Sequence, residues 1–369
     1  MILVDAHEDL AYNMLTFGRD YTLSAEETRL RERGSEVPLH NGDTLLGWTE
    51  YQRGQVGVVF STLFAAPARR KQGPWEILTY ATPEQAHRLY RNQMDAYHRL
   101  VDDHPDKFRL IQSIKDLDEV LADWEREDEP DESGVKPGHP VGLVPLMEGA
   151  EGVRQPAELE EWWQRGLRLI GPSWAGTRFA GGTHEPGPLT KEGFALLETM
   201  ADFNFGLDLS HMDEKAALRA LDAYPGVIFA SHSNAAALLN GAETNRHITS
   251  QMISGLIERD GVIGVVPYNR FLMVGWSQDD GRSEVSLQRV VAHIDYICQM
   301  AGDARHVGLG SDFDGGFGWQ SVPVEVDTIA DLRKIVPLLA EKGYTEEDIA
   351  AILGENWLTL LRRVLPEGV

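Results

Sequence analysis

Residues 2–7 read ILVDAH, a short apolar run that stops on a histidine, and runs of the same kind return along the whole chain. They are VGVVFSTLF (56–64), VGLVPLME (141–148), LRLIGPSW (167–174), GLDLSH (206–211), VIFASHS (227–233), VIGVVPY (262–268) and HVGLGSD (306–312). Near-continuous apolar runs of this length suit strands buried on both faces. The longer stretches between them carry helical spacing, as a parallel sheet built from βα units requires. The expected fold is therefore α/β: a single (β/α)8 TIM-type barrel spanning residues 1–369, with an open doubly wound sheet as the alternative. A further apolar piece, FRLIQS (108–113), reads as an extra strand between the second and third units.

Helices are expected where the apolar period lengthens. Residues 83–103 open with a proline suited to a first turn and repeat apolar residues at helical spacing. Residues 285–301 and 327–342 read similarly, and Thr345 with Asp348 resembles a capping box opening a helix over 346–362. The acidic, Pro- and Gly-bearing stretch 125–140 reads as a solvated surface loop, since strands of one barrel lie on both sides. Residues 20–50 lack strong periodicity and are expected to form a loop with short helical pieces over the barrel mouth.

Composition narrows the class. A chain of 369 residues with 42% hydrophobic content can bury a large core, and barrels with insertions reach this size. Lys+Arg of 34 against Asp+Glu of 58 gives a net charge of −24, which disfavours nucleic acid and anionic membrane surfaces as partners. Cys298 is the only cysteine, so an intramolecular disulfide and a Cys-rich metal site are both excluded. No run approaches the roughly 20 apolar residues a membrane span needs. The start MILVDAHEDL lacks a signal-peptide pattern and the end lacks a lipid-anchor tail, so the expectation is a cytoplasmic protein. Assembly into a homo-oligomer is left open.

The chemistry lies at the strand ends. His7 and Asp9 end the first strand, Glu148 the third, His211 the fifth, His232 the sixth and Asp312 the eighth. Barrel active sites are built at the carboxyl ends of strands, and three histidines with three carboxylates there exceed what structural needs explain. Alternation sends both residues of His7-x-Asp9 to one side. Imidazole with carboxylate suits Zn2+, and a carboxylate can bridge two ions. Glu148, on a middle strand between the other ligands, is assigned as that bridge. Two such ions generate hydroxide at neutral pH and polarise the carbonyl it attacks. Glu151 is placed on the loop surface. His40, His87, His98, His104, His139, His247, His293 and His306 are assigned to surface or packing. FAGGTH (179–184) lacks the lysine and context of a phosphate loop.

These motifs, taken in order, resemble the renal (membrane) dipeptidase family. DAHEDL is similar to its DGHNDL opening, MEGAE to its EGG-type glutamate segment, and DLSH to its DLAH or DLSH. ASHSNA is similar to its SHSSA, GSDFDG to its GDFDG, and YTEEDIAAILGENWLTLL to its last helix. The resemblance covers nearly the whole chain. It implies two Zn2+ ions, one on His7 and Asp9, the other on His211 and His232, with Glu148 bridging and a hydroxide between them attacking the peptide bond of a dipeptide. It further implies that Arg246 clamps the substrate's terminal carboxylate, a role the guanidinium fork suits. Asp312 falls on an aspartate that shuttles a proton or meets the substrate's amino group. One departure stands out: Trp174 occupies the position where the family has a histidine that binds the carbonyl. An indole donates one hydrogen bond and cannot protonate. The oxyanion is then left to the metals and Trp174, or His184 reaches in from the next loop, or the substrate differs. A zinc dipeptidase, which could also take a D-residue at the carboxyl end, is the leading reading. A binuclear hydrolase of another amide or lactone is the second, and a non-catalytic binding protein is disfavoured because no ligand is missing.

Overall fold

A computed structural model describes residues 1–126 and 138–368; the stretch read as a surface loop over 125–140 falls largely outside them. The eight expected strands are present as β1 (Leu3–Glu8), β2 (Val56–Phe64), β3 (Val141–Glu148) and β4 (Leu169–Gly171), then β5 (Gly206–Asp208), β6 (Ile228–Phe229), β7 (Ile263–Val265) and β8 (Val307–Leu309). All neighbours are parallel, in the order β6-β5-β4-β3-β2-β1-β8-β7. A parallel bridge between Ala230 and Ile263 joins the two ends of that order, so the ring is nearly closed. The extra strand is Phe108–Leu110. It pairs with the start of β3 (Phe108 with Val141), whereas the short β4 pairs only with its end (Leu146 with Leu169). The additional strand thus covers the half of β3 that β4 does not reach.

Side chains sort into two layers. Val4, Ala6, Val58, Phe60, Val144, Leu146 and Leu169 share one buried cluster with Trp357 and Leu361 of the C-terminal helix. Leu3, Val59, Leu143 and Met147 alternate with them and join the larger cluster containing the surrounding helices. Trp357 meets Phe60 and Phe229 edge-on and donates its indole N–H to the Leu309 carbonyl. The last helical segment opens on the expected Thr345–Asp348 capping box at Glu346 and runs to Val364, with a π-turn over Ala351–Glu355. Helix Pro83–Asp103 starts where expected, with the Thr82 hydroxyl accepting from the Gln85 N–H. Among the described residues no helix is long and apolar enough to cross a membrane.

Most strands are shorter than their apolar runs, and for β5, β6 and β8 the reason lies in buried aspartates. The carboxylate of Asp208 accepts from the Ser210 and Ser231 N–H groups (both 2.9 Å), and that of Asp5 from the Ser311 N–H (2.6 Å). These donors would otherwise continue the ladder. Beyond them the chain turns into the mouth: His211 and Asp312 hold φ of 67° and 58°, a left-handed region uncommon for non-glycine residues and frequent at functional sites. β1 carries a bulge at His7: between the Asp5–Val59 and Glu8–Ser61 pairs, Ala6 and His7 face the single residue Phe60 of β2. Residues 20–50 form short helices (Ala25–Glu32, Val37–Asn41, Trp48–Gly54). They are anchored beside the mouth through Asp314, whose carboxylate takes the Thr44 hydroxyl (2.6 Å), the Tyr21 hydroxyl (2.9 Å) and the Arg19 guanidinium (2.8 Å).

Candidate metal centre

The strand ends bring the expected residues together. Oε1 of Glu148 lies 3.0 Å from His211 Nε2, 3.4 Å from His232 Nε2 and 3.5 Å from His7 Nε2. The His211 and His232 Nε2 atoms stand 2.9 Å apart, and Asp312 Oδ1 is 3.9 Å from His7 Nε2. Three sets place their ligand atoms within 4.8 Å of one another: His7, Asp9 and Glu148; Glu148, His211 and His232; and His7, His232 and Asp312. Glu148 belongs to the first two.

The opposite ring nitrogens are held by hydroxyls. Ser231 Oγ is 2.7 Å from His232 Nδ1 and 3.3 Å from His7 Nδ1, and donates to Asp208 Oδ2 (2.5 Å). Thr183 Oγ1 is 2.9 Å from His211 Nδ1. This leaves every Nε2 aimed at the centre, and His7 Nε2 is buried with no hydrogen-bond partner. Such a fixed tautomer, carried by hydroxyl and carboxylate, is the usual support of a metal-ligating imidazole.

The electrostatics point the same way. Burial holds His7, His211 and His232 well below the usual imidazole range, with Arg246 adding to it, so the rings are neutral. Burial, then Asp9 and Asp312, pushes Glu148 well above the carboxylate range. Burial, then Asp9, does the same to Asp312, and burial lifts Asp9 to about 6. Neutral imidazoles beside carboxylates whose negative charge is poorly compensated form a donor set that a divalent cation fits.

A cavity of about 400 Å³ opens over this cluster. Arg246, only 5% exposed, is on its wall, donating to the His232 carbonyl (2.8 Å) and Ser233 Oγ (3.4 Å), with its Nε unpartnered. Trp174 is on the wall beside His211, ring centroids 6.0 Å apart, and packs on Phe64 at 5.1 Å. His184 also borders the cavity, from the tip of a hairpin between Ala180–Gly182 and Glu185–Leu189. Sequence reasoning passed over Asp5, Asp208, Ser231 and Thr183. A signal existed for the first two, because an aspartate inside ILVDAH or GLDLSH breaks an otherwise apolar strand just before its histidine.

The chain is 32% identical over 234 residues to an uncharacterized protein in the pqqA 5' region of Klebsiella pneumoniae, covering 61% of this chain and 82% of that one. It is 28% identical to dipeptidase ataJ of Aspergillus terreus, covering 74% and 66%. It is 23% identical to dipeptidase aclJ of Aspergillus oryzae, covering 97% and 77%. The fold is shared with a metallo peptidase from Rhodobacter sphaeroides liganded with a phosphinate mimic of L-Ala-D-Ala, at TM-score 0.74 and 22% identity over 99% of both chains. It is shared as well with the probable dipeptidase PvdM of Pseudomonas aeruginosa, at TM-score 0.76 and 19% identity over 99% and 96%. The profile of the family described as membrane dipeptidase (peptidase family M19) matches residues 1–366. Matched from end to end, with histidines and carboxylates gathered at its strand ends, the chain belongs to the membrane dipeptidase family of metallopeptidases.

Proposed function

We propose that the chain acts as one metal-dependent hydrolase unit, a zinc dipeptidase with two Zn2+ per chain. His7 and Asp9 would hold one ion, His211 and His232 the other, and Glu148 both. The observation that carries this reading is the membership of Glu148 in two ligand sets around a buried, unpartnered His7 Nε2. When bound, two such ions supply a water acidic enough to be a nucleophile at neutral pH and an electrophile for the scissile carbonyl. The rest is done by the chain's own side chains. Asp208 and Ser231 hold the His232 ring, and Thr183 that of His211. Asp312, whose carboxyl is raised by burial, can hold a proton near the cluster for delivery to the leaving amine. Arg246 lines the cavity, and its guanidinium fork fits the carboxylate of a small peptide. Relatives named dipeptidases, and a structural neighbour holding a dipeptide mimic, support the substrate class. The test is zinc content and dipeptide turnover before and after chelation and reconstitution. Full activity in protein with only trace metal would overturn the reading.

The Ser231 hydroxyl serves two rings, so Ser231→Ala should weaken zinc binding by roughly 10–100-fold, the usual effect of losing such a support. Chelator competition measures it, and unchanged affinity would remove Ser231 from the site.

Trp174 favours a second reading, a hydrolase of another small amide or lactone, because an indole lies beside His211 where the family resemblance expects imidazole. Loss of one oxyanion donor typically lowers kcat by about 100–1000-fold. Trp174→His should therefore raise dipeptide kcat, by an order of magnitude or more. A fall on every dipeptide tested would favour the second reading.

A further inference from the structure

The cavity has two unlike ends. Arg246, on the long loop that follows β6, lies at one, bonded to the His232 carbonyl and with its guanidinium over the Phe271 ring at 5.2 Å. Across the barrel, over β1 and β2, the wall is Tyr12, Phe64 and Trp174, with Trp75 and the carboxylate of Glu76 beside them. Tyr12 and Phe64 rings are 5.6 Å apart, and Trp75 is stacked between Phe17 (5.6 Å) and His40 (4.6 Å). Of this second end only Trp174 was legible in the sequence.

Glu76 is 4% exposed. Its Oε2 accepts the Gln72 N–H at 2.6 Å, but Oε1 has only the Tyr12 hydroxyl at 3.5 Å. Among the described residues no lysine, arginine or histidine stands within ion-pair distance of it: Arg70, on the same cavity wall, is committed to Glu185 at 2.9 Å, and the exposed Lys71 acts on it only at longer range. A buried carboxylate without a close cation is costly, and this one borders a cavity that must admit a ligand.

We propose that Glu76 determines specificity by receiving the cationic side chain of the substrate's amino-terminal residue, so that dipeptides beginning with arginine or lysine are preferred. The inference rests on the dipeptidase reading. With the terminal carboxylate on Arg246 at β6 and the scissile carbonyl at Glu148, the amino-terminal residue extends towards β1 and β2. Tyr12, Phe64 and Trp174 then flank the aliphatic stem, and aromatic faces favour a guanidinium or ammonium on its way to the carboxylate. A purely structural Glu76 would do no more than pin the turn from Gln72.

The experiment compares kcat/KM of the zinc-loaded enzyme for Arg-Ala against citrullyl-Ala and Lys-Ala against norleucyl-Ala. Each ratio is taken within one enzyme, so that a general loss of activity cancels. The native enzyme should favour the cationic member by about 10–100-fold, the range for a charge-assisted pair. Glu76→Gln should bring the ratios near unity, and Glu76→Lys should shift preference to Glu-Ala. Ratios near unity in the native enzyme, or ratios kept in Glu76→Gln, overturn the proposal. If no dipeptide is cleaved, the dipeptidase reading fails, and calorimetry decides Glu76 separately. Tighter binding of L-arginine than of L-citrulline, lost in Glu76→Gln, upholds the cation subsite, and equal binding removes it.

Discussion

Glu148→Gln is expected to abolish most hydrolysis and to weaken both metal sites at once. The substitution keeps the shape of the side chain and removes its charge. A single oxygen, Oε1, lies 3.0–3.5 Å from the Nε2 atoms of His211, His232 and His7, so its loss cannot be confined to one ion. Metal stabilisation of the transition state is worth several kcal/mol, and about 1.4 kcal/mol is tenfold in rate. The expected loss is thus about three decades in kcat/KM, with zinc content falling below two per chain after dialysis against a mild chelator. A variant holding two ions and near-native activity would sink the bridging role. A second readout needs no turnover. In the metal-free protein, burial raises the Glu148 carboxyl well above its unfolded value. Its contribution favours the folded state at low pH and is lost as pH rises from the unfolded towards the folded pKa. Metal-free Glu148→Gln should therefore melt above metal-free native protein at pH 8, and the order should reverse when zinc is added. The same order in both states would show that Glu148 does not meet the metal.

The barrel was legible because its strands are buried on both faces, which forces apolar runs such as VGVVFSTLF that no loop would carry. The extra strand at Phe108–Leu110 was legible from its short apolar run, although only Phe108 in it is fully buried. Strand lengths were not. GLDLSH reads as continuous, yet Asp208 captures the N–H groups of Ser210 and Ser231 and ends the ladder at residue 208, which frees His211 to turn inward. Convergence of His7, Asp9, Glu148, His211 and His232 followed from their places at strand ends, which the fold brings to one face. The hydroxyls behind them have no such constraint. Ser231 sits next to a ligand in sequence, but Thr183 reaches His211 from a separate hairpin. Nor do the cavity walls: Tyr12, Glu76 and Phe317 come from segments whose path over the mouth depends on tertiary anchors such as Asp314.

Arg246→Ala is expected to raise KM strongly for dipeptides with a free carboxylate and to matter little for their C-terminal amides. The native enzyme should cleave the acids and leave the amides nearly untouched. The guanidinium is buried, yet its donors are only partly used: His232 O at 2.8 Å, Ser233 Oγ at 3.4 Å, and Nε free. A carboxylate in the cavity, which Arg246 lines, would give the guanidinium a charged partner. Losing a charge-assisted pair costs about 1.5–3 kcal/mol, or one to two decades in kcat/KM. Arg246 is also a positive charge beside Glu148 and Asp312, and a role limited to balancing that cluster makes a different forecast. In that case Arg246→Ala, which removes a charge that repels the metal, would leave zinc bound at least as tightly and slow acids and amides alike, and Arg246→Lys, which keeps the charge, would restore the native rates on both. A clamp behaves otherwise. Lysine cannot reproduce the planar fork, so Arg246→Lys should keep zinc bound while recovering only part of the discrimination between acid and amide. Equal turnover of acids and amides by the native enzyme would remove Arg246 from the carboxylate site, and with it the orientation that places the substrate's amino-terminal residue towards Glu76.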